Sequence, residues 1–434
     1  MSATTRRVVV TGMGMISPLG NSPAALWDAI SAGRSGVRHL QSLPTGFIPT
    51  NLGGEAAEFN GSIEQFGTLE KTLQRSIKKG LKLMCREIQM GVAAAQLAIQ
   101  DAGWAADTYR PEQVGTMYGS DYIISEPGEF AAGIHKCTTN GTFEFSRWGK
   151  EGLPQVEPLW LLKYLPNMPA SHVAIYNDFR GPSNSVTLRE ASSNLSIAES
   201  VTTIRRGIAD AIVVGSTGTR IHPLRTVHVA LQERLAPASD SPEKACRPFD
   251  ANHAGMVMGE GAGVLVLEEL EAAQKRGARI LAEVTGYGSS TVCSPEGVVN
   301  YQQVFENVIE MALERAGLKP TDLGHVHAHG LSDPEVDIAE ANAIRKTLGD
   351  VPVTALKSYM GNLGAGSGMV EAIASILSLN EQTLFPILNY DSPASTCPIN
   401  GVREIKKHDG NSFLNLNVSP QGQASAVVMQ RLSA

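Results

Sequence analysis

Short apolar runs alternate along the chain with longer stretches in which apolar residues return every three or four positions. The short runs predict buried strands at Arg7–Thr11, Ala211–Gly215, Gly263–Leu267, Ile280–Gly286, Gly324–Ala328, Ser412–Asn417 and Ala424–Gln430. The longer periodic stretches predict helices at Ile88–Ala102, Ser193–Arg206, Val304–Ala316 and Glu335–Leu348. In the second of these, Ile197, Val201 and Ile204 fall at i, i+4 and i+7 and make one face apolar, with Ser192 or Ser193 placed to cap its first turn. Near-continuous apolar strands interleaved with helices are the pattern of an α/β protein with buried parallel strands. Thr45–Lys79, which ends in a basic Arg75–Lys79 run, and Glu126–Pro158 show neither period and read as irregular, either excursions that shape a site or a dimer surface or solvated flaps.

Composition narrows this picture. A chain of 434 residues, 42% hydrophobic, holds either two fused halves or one large α/β unit, and its 43 glycines follow no low-complexity repeat. A net charge of −7 leaves no basic footprint for nucleic acid. The five cysteines, Cys85, Cys137, Cys246, Cys293 and Cys397, are scattered and form no C-x-x-C pair, which fits reduced thiols. Neither a signal-peptide core nor a membrane-length apolar run is visible, so a cytoplasmic protein that binds no membrane is expected.

The most telling segment is Gly181-Pro182-Ser183-Asn184-Ser185-Val186-Thr187-Leu188-Arg189-Glu190-Ala191-Ser192-Ser193-Asn194. It resembles the nucleophile elbow of β-ketoacyl-acyl-carrier-protein synthases, with Glu190 at the cysteine position. The likeness runs nearly end to end: Arg7–Asn21 resembles the family's opening strand, Arg247-Pro248-Phe249-Asp250 and Gly255–Gly263 its R-P-F-D and G-E-G-A-G segments. His329-Gly330 followed by Asp337 and Glu340, and Lys357-Ser358-Tyr359-Met360-Gly361-Asn362, match two further motifs, the last with asparagine in place of histidine. The resemblance implies a thiolase-like fold: two duplicated halves forming a five-layer α-β-α-β-α sandwich, dimeric, here divided as 1–268 and 269–434.

It also implies roles. Glu190, His329 and Asn362 match the cysteine and the two histidines of the elongating enzymes, and Lys357 and Glu340 match a supporting ion pair. A Glu-His-Asn set is similar in its last two members to the Cys-His-Asn triad of initiating ketosynthases. No cofactor of its own is implied, since the phosphopantetheine arm arrives on an acyl carrier protein. The implied partners are that carrier and either a second copy of the chain or an active ketosynthase. The family's glycine-rich gate is replaced by Asn411–Ser419, with Asn415 at the gatekeeper position, and the loss of glycines stiffens it.

A carboxylate cannot hold an acyl group for condensation, because the mixed anhydride it would form is far more labile than a thioester. Three readings of Glu190 stand. Its carboxylate fills the oxyanion hole at a helix N-terminus and mimics an acylated cysteine; it acts as a general base with His329, whose pKa it would raise; or it only fills a vacancy. Asn362 either donates to a thioester carbonyl or replaces a larger ring. His325, His327 and His329 alternate as on one strand face, spacing that suits zinc or a satisfied polar core. Two functions follow: a non-condensing, chain-length-factor-like partner of a ketosynthase, or an enzyme on carrier-bound thioesters (decarboxylase, hydrolase or acyl transferase) using Glu190 and His329.

Overall fold

Gly12 and Gly14 set how the first layers meet. A Cβ on Gly14 would lie 2.2 Å from the Ala94 carbonyl oxygen, and one on Gly12 2.5 Å from that of Ala98. The glycines therefore let helix α1 (Arg86–Asp101) press its backbone against strand β1 (Val8–Ile16), which continues well past the predicted Thr11. The two glycines are a contact surface between strand and helix. The computed structural model describes residues 6–432 apart from Thr45, Phe47 and Ala106. The first five residues, where a signal peptide would begin, and the first residue of the Thr45–Lys79 stretch thus fall outside the described residues.

Strands β1, β2 (Val114–Ser120), β3 (Ser183–Thr187), β4 (Ala211–Thr219) and β5 (Met258–Glu269) make one sheet in the order β1-β5-β4-β2-β3. Strands β6 (Ala282–Thr291), β7 (His325–His327), β8 (Pro352–Thr354), β10 (Ser412–Val418) and β11 (Gln423–Gln430) make a second in the order β6-β11-β10-β7-β8, with the short β9 (Asn400–Gly401) outside β8. In both, the first two neighbour pairs are antiparallel and the next two parallel. Equal order and equal direction are what duplication of one half predicts. The sheets join where β1 meets β6, Val9 opposite Glu283 and Val10 opposite Ala282.

Helices α2 (Ser192–Arg205) and α5 (Ser367–Asn380) lie between the sheets, each packing on strands of both. Helix α1 covers the outside of the first sheet, and α3 (Tyr301–Ala316) with α4 (Pro334–Leu348) the outside of the second. This is the five-layer α-β-α-β-α arrangement that the resemblance implies. Helix α5 leaves no periodic trace in the sequence because it is buried on nearly every side and so has no polar stripe. Strands β2, β3 and β8 were also missed; β3 is a polar edge strand, Ser-Asn-Ser-Val-Thr, without an apolar run.

Two further expectations change. Neither Ser192 nor Ser193 caps α2: the Ser192 hydroxyl donates to the carbonyls of Ser120 and Arg189, and that of Ser193 to Ala365. The stretches read as irregular are structured. Helix Lys71–Gly80 lies in the first, anchored by buried Ile77. The second holds helix Gly128–Lys136 and a hairpin, stapled by Phe130, Phe143, Trp148 and Trp160. Asn411–Ser419 is largely β10, a strand paired with β11 along its length.

Replacing Gly14 by alanine is expected to cost about 3 kcal/mol, because the clash is with backbone that cannot move without lifting α1. Urea unfolding of Gly14→Ala reads this directly; an unchanged midpoint would show that α1 does not rest on β1 as described.

Candidate functional site

The chain leaves β3, passes Arg189 in the left-handed region (φ +54) and turns into α2. A non-glycine residue in this conformation needs its surroundings to hold it. Arg189 is held by its side chain, which donates to Glu233 Oε1 at 3.0 Å and lies 3.6 Å from Asp121 Oδ2. Glu190 follows on the elbow and is 1% exposed. Its Oε1 accepts from Arg220 Nη2 and, at 2.9 Å, from Asn362 Nδ2, while Oε2 has no partner. Arg220, just past the end of β4, is fully buried and also donates to Glu233 Oε1 at 3.1 Å.

The Glu190 carboxylate is thus taken up by a guanidinium and an amide, not by the helix N–H groups that an oxyanion-hole mimic would use. Asn362 is equally committed. Its Oδ1 accepts from Gly364 N and Ser367 Oγ, both at 3.0 Å, and its Nδ2 donates to Glu190 and Met256 Sδ. It orients Glu190 and is not free to donate to a thioester carbonyl.

His329 lies just beyond β7, before Gly330 at φ +49. The backbone N–H groups of both residues donate to Glu340, at 2.6 and 2.9 Å, which fixes the turn. Lys357 donates to the His329 carbonyl at 2.9 Å and faces its Nδ1 at 3.3 Å. A lysine ammonium has only donors, so Nδ1 is the acceptor and the ring proton sits on Nε2. Lys357 is ion-paired to Glu371 of α5, and Asn417 donates to the other Glu371 oxygen at 2.7 Å. The expected Lys357–Glu340 pair is therefore corrected: Glu371 is the partner, and Glu340 holds backbone. Burial, then the cations of Lys357 and Arg220, hold the His329 pKa well below the ordinary histidine value. The expectation that Glu190 would raise it fails because Arg220 neutralises Glu190 and burial dominates.

Glu190, His329 and Asn362 all border one cleft of about 260 Å³, together with Glu233, Arg234, Met256, Tyr301 and Asp333. The structure brings those three to one place, with Lys357 and Glu340 behind His329. Among the described residues no cysteine lines the cleft, and burial pushes the thiols of Cys85, Cys246 and Cys397 up to about 12, so none offers a ready thiolate. His325 and His327 share the Ser375 hydroxyl, at 3.2 and 2.7 Å, and His327 Nε2 accepts from Leu356 N at 3.1 Å. Among the described residues no cluster of ligating side chains is placed for a metal. Four site residues went unassigned in the sequence: Arg220, Glu233, Asp121 and Glu371. Only Glu371 carried a signal, as the lone acid in an otherwise apolar stretch of α5.

The three buried imidazoles make a checkable prediction. Burial lowers the pKa of each, that of His325 to about 3. The unfolded chain binds protons at these rings below about pH 6.5 and the folded chain does not, so stability is lost as pH falls through that value. Glu87, pushed up to about 8 by burial, acts with the opposite sign and loses stability as pH rises. Comparison with a variant isolates one ring: His325→Phe should flatten the acid limb by about 1.4 kcal/mol per pH unit. Parallel limbs for variant and parent in urea unfolding would contradict a neutral buried His325.

Residues 5–273 match the family model for the β-ketoacyl synthase N-terminal domain and residues 281–391 that for the C-terminal domain. The chain is 33% identical over 404 residues to 3-oxoacyl-[acyl-carrier-protein] synthase 2 of Vibrio cholerae, covering 89% of each. It is 31% identical over 440 residues to the Staphylococcus aureus (strain COL) protein of the same name, covering 99% of each. Among solved structures it is similar to a β-ketoacyl synthase from Burkholderia phymatum (26% identity, TM-score 0.85, 99% of this chain and 100% of that one). It is also similar to the ishigamide ketosynthase/chain length factor (25% identity, TM-score 0.85, with the same coverage). Among the described residues no helix is long and apolar enough to cross a membrane. With both of its halves matched and relatives aligned over nearly the whole length, the chain belongs to the β-ketoacyl synthase family.

Proposed function

We propose that this chain is a non-condensing member of the family that acts as a chain-length-factor-like partner of an active ketosynthase in fatty-acid or polyketide biosynthesis. The observation that carries this reading is Glu190: a buried carboxylate, paired with Arg220 and Asn362, at the position where the resemblance puts the acylated cysteine. A carboxylate so engaged is a poor nucleophile and a poor base, since taking up an acyl group or a proton would remove its charge and leave the buried Arg220 guanidinium short of a counter-ion. The role of partner is supported by a solved neighbour that is itself a ketosynthase/chain length factor. It fits the free edge of β3, where Ser183, Asn184 and Thr187 are exposed and can extend a partner's sheet. Helix Met168–Asn177, which packs beside β3, exposes Ile175 at 71%. The carrier protein is the proposed third member, and a basic helix, Lys71–Gly80 with exposed Lys71, Arg75, Lys78 and Lys79, suits an acidic one.

One observation favours a second reading, an enzyme on carrier-bound thioesters. His329 borders the cleft with a proton on Nε2, the donor a thioester oxyanion needs, an interaction worth about 3–4 kcal/mol at a transition state. In that case His329→Ala abolishes turnover while leaving fold and assembly intact.

Incubated with acyl- and malonyl-carrier protein, the purified chain should show no acyl adduct by intact mass and no β-ketoacyl product; co-expressed with an active ketosynthase, it should purify as a stable heterodimer. A covalent adduct at residue 190 with product formation would remove the non-condensing reading. Turnover by a homodimer that is lost in His329→Ala would replace it with the second.

Glu190→Cys should become acylated, because the Arg220 guanidinium favours a thiolate. It should condense poorly, since Asn362 supplies no second imidazole. Glu190→Cys/Asn362→His should condense better, and equal rates for the two variants would show that Asn362 does not limit the chemistry.

A further inference from the structure

A second cavity, of about 820 Å³, opens between helix Lys71–Gly80, the C-terminal part of α1 and the Tyr176–Phe179 segment. It falls within the roughly 300–1,000 Å³ span of small-molecule sites. It shares no lining residue with the His329 cleft, so a ligand in it is independent of the reading of Glu190. Its walls are largely apolar, formed by Leu73, Ile99, Trp104, Tyr109, Tyr176 and Phe179. The Trp104 ring stands edge-on to Tyr109 and Phe179, with centroids 5.5 and 6.0 Å apart.

One polar group in that wall is unexplained. Gln96 is 2% exposed, borders the cavity, and its Nε2 has no hydrogen-bond partner. One turn along α1, Gln100 shows the contrast: its Oε1 accepts from Thr68 N at 2.8 Å and its Nε2 donates to the Phe66 carbonyl at 3.2 Å. A buried amide donor left unmade is destabilising, and native folds keep such groups where something satisfies them. An acceptor carried on an apolar body would satisfy Gln96 and fill the aromatic walls together. The charge on that acceptor is also constrained. Among the described residues no lysine, arginine or histidine lines the cavity, while Glu70 does and Asp178 is already paired with Arg180, so an ionised carboxylate finds no counter-ion in the wall and a neutral carbonyl needs none.

We propose that this cavity binds a neutral carbonyl-bearing lipophile, a fatty amide or ester, whose carbonyl oxygen accepts from Gln96 Nε2 while its chain lies against Trp104 and Phe179. Trp104 serves as the reporter. Decanamide should change the tryptophan emission saturably, the change should be absent in Trp104→Phe, and calorimetry on the parent protein should return the same affinity. Decanoate, of the same length but anionic, should bind at least about tenfold more weakly. Gln96→Leu removes the donor and keeps an apolar wall; it should fold at least as stably as the parent and bind decanamide about tenfold more weakly. Absence of saturable decanamide binding, equal binding of decanoate, or undiminished decanamide binding by folded Gln96→Leu would each overturn the proposal. The comparison of decanamide with decanoate uses only the parent protein and decides the matter even if the variant fails to fold.

Discussion

The candidate site depends on one buried ion pair, Arg220 with Glu190. Both side chains are essentially without solvent contact, so the Glu190 charge is tolerable only because Arg220 is there. Arg220 reaches on to Glu233, Glu233 to Arg189, and Arg189 to Asp121, so the elbow that in the resembling enzymes presents a thiol here ends in a chain of salt bridges. That chain also holds Arg189 in its left-handed conformation. Arg189 supports the turn and Arg220 takes up its acid, and Glu233, which accepts from both arginines, links the two.

A second polar set stands across the cleft and is built differently. Glu340 fixes the His329 turn through two backbone N–H groups, and Lys357, neutralised by Glu371, fixes the tautomer of the ring. Every member of this set except His329 Nε2 is engaged within the protein. The two sets meet only through the cleft they share, and no hydrogen bond joins Glu190 to His329. A dyad that divides acid and base work needs such a contact, directly or through one water.

Much of this architecture was legible in the sequence, because buried strands and amphipathic helices leave periodic traces. Helix α5 and strand β3 were not, for opposite reasons: one is apolar all round and the other polar throughout, so neither alternates. At the site, Glu190 and His329 were visible because each sits inside a long motif. Arg220, Glu233 and Asp121 were invisible because their meaning lies in partners distant in the chain; Arg220 and Glu190 are thirty positions apart and joined only by the sheet that carries them. The ion pair assigned to Lys357 shows the same limit. Glu340 and Glu371 are both buried acids near His329, and only their positions on α4 and α5 decide which one meets the lysine and which one meets the backbone.

The contribution of the Glu190 charge to stability is the quantity on which a locked elbow stands or falls. Glu190→Gln keeps size and hydrogen-bonding shape but removes the anion, leaving Arg220 with Glu233 as its one direct counter-ion. If the carboxylate is ionised and locked to Arg220, urea unfolding at neutral pH should show a loss of about 3 kcal/mol, the usual result of breaking a buried pair. A variant as stable as the parent, or more so, would mean that Glu190 carries no charge in the folded protein and would contradict a locked, non-nucleophilic carboxylate.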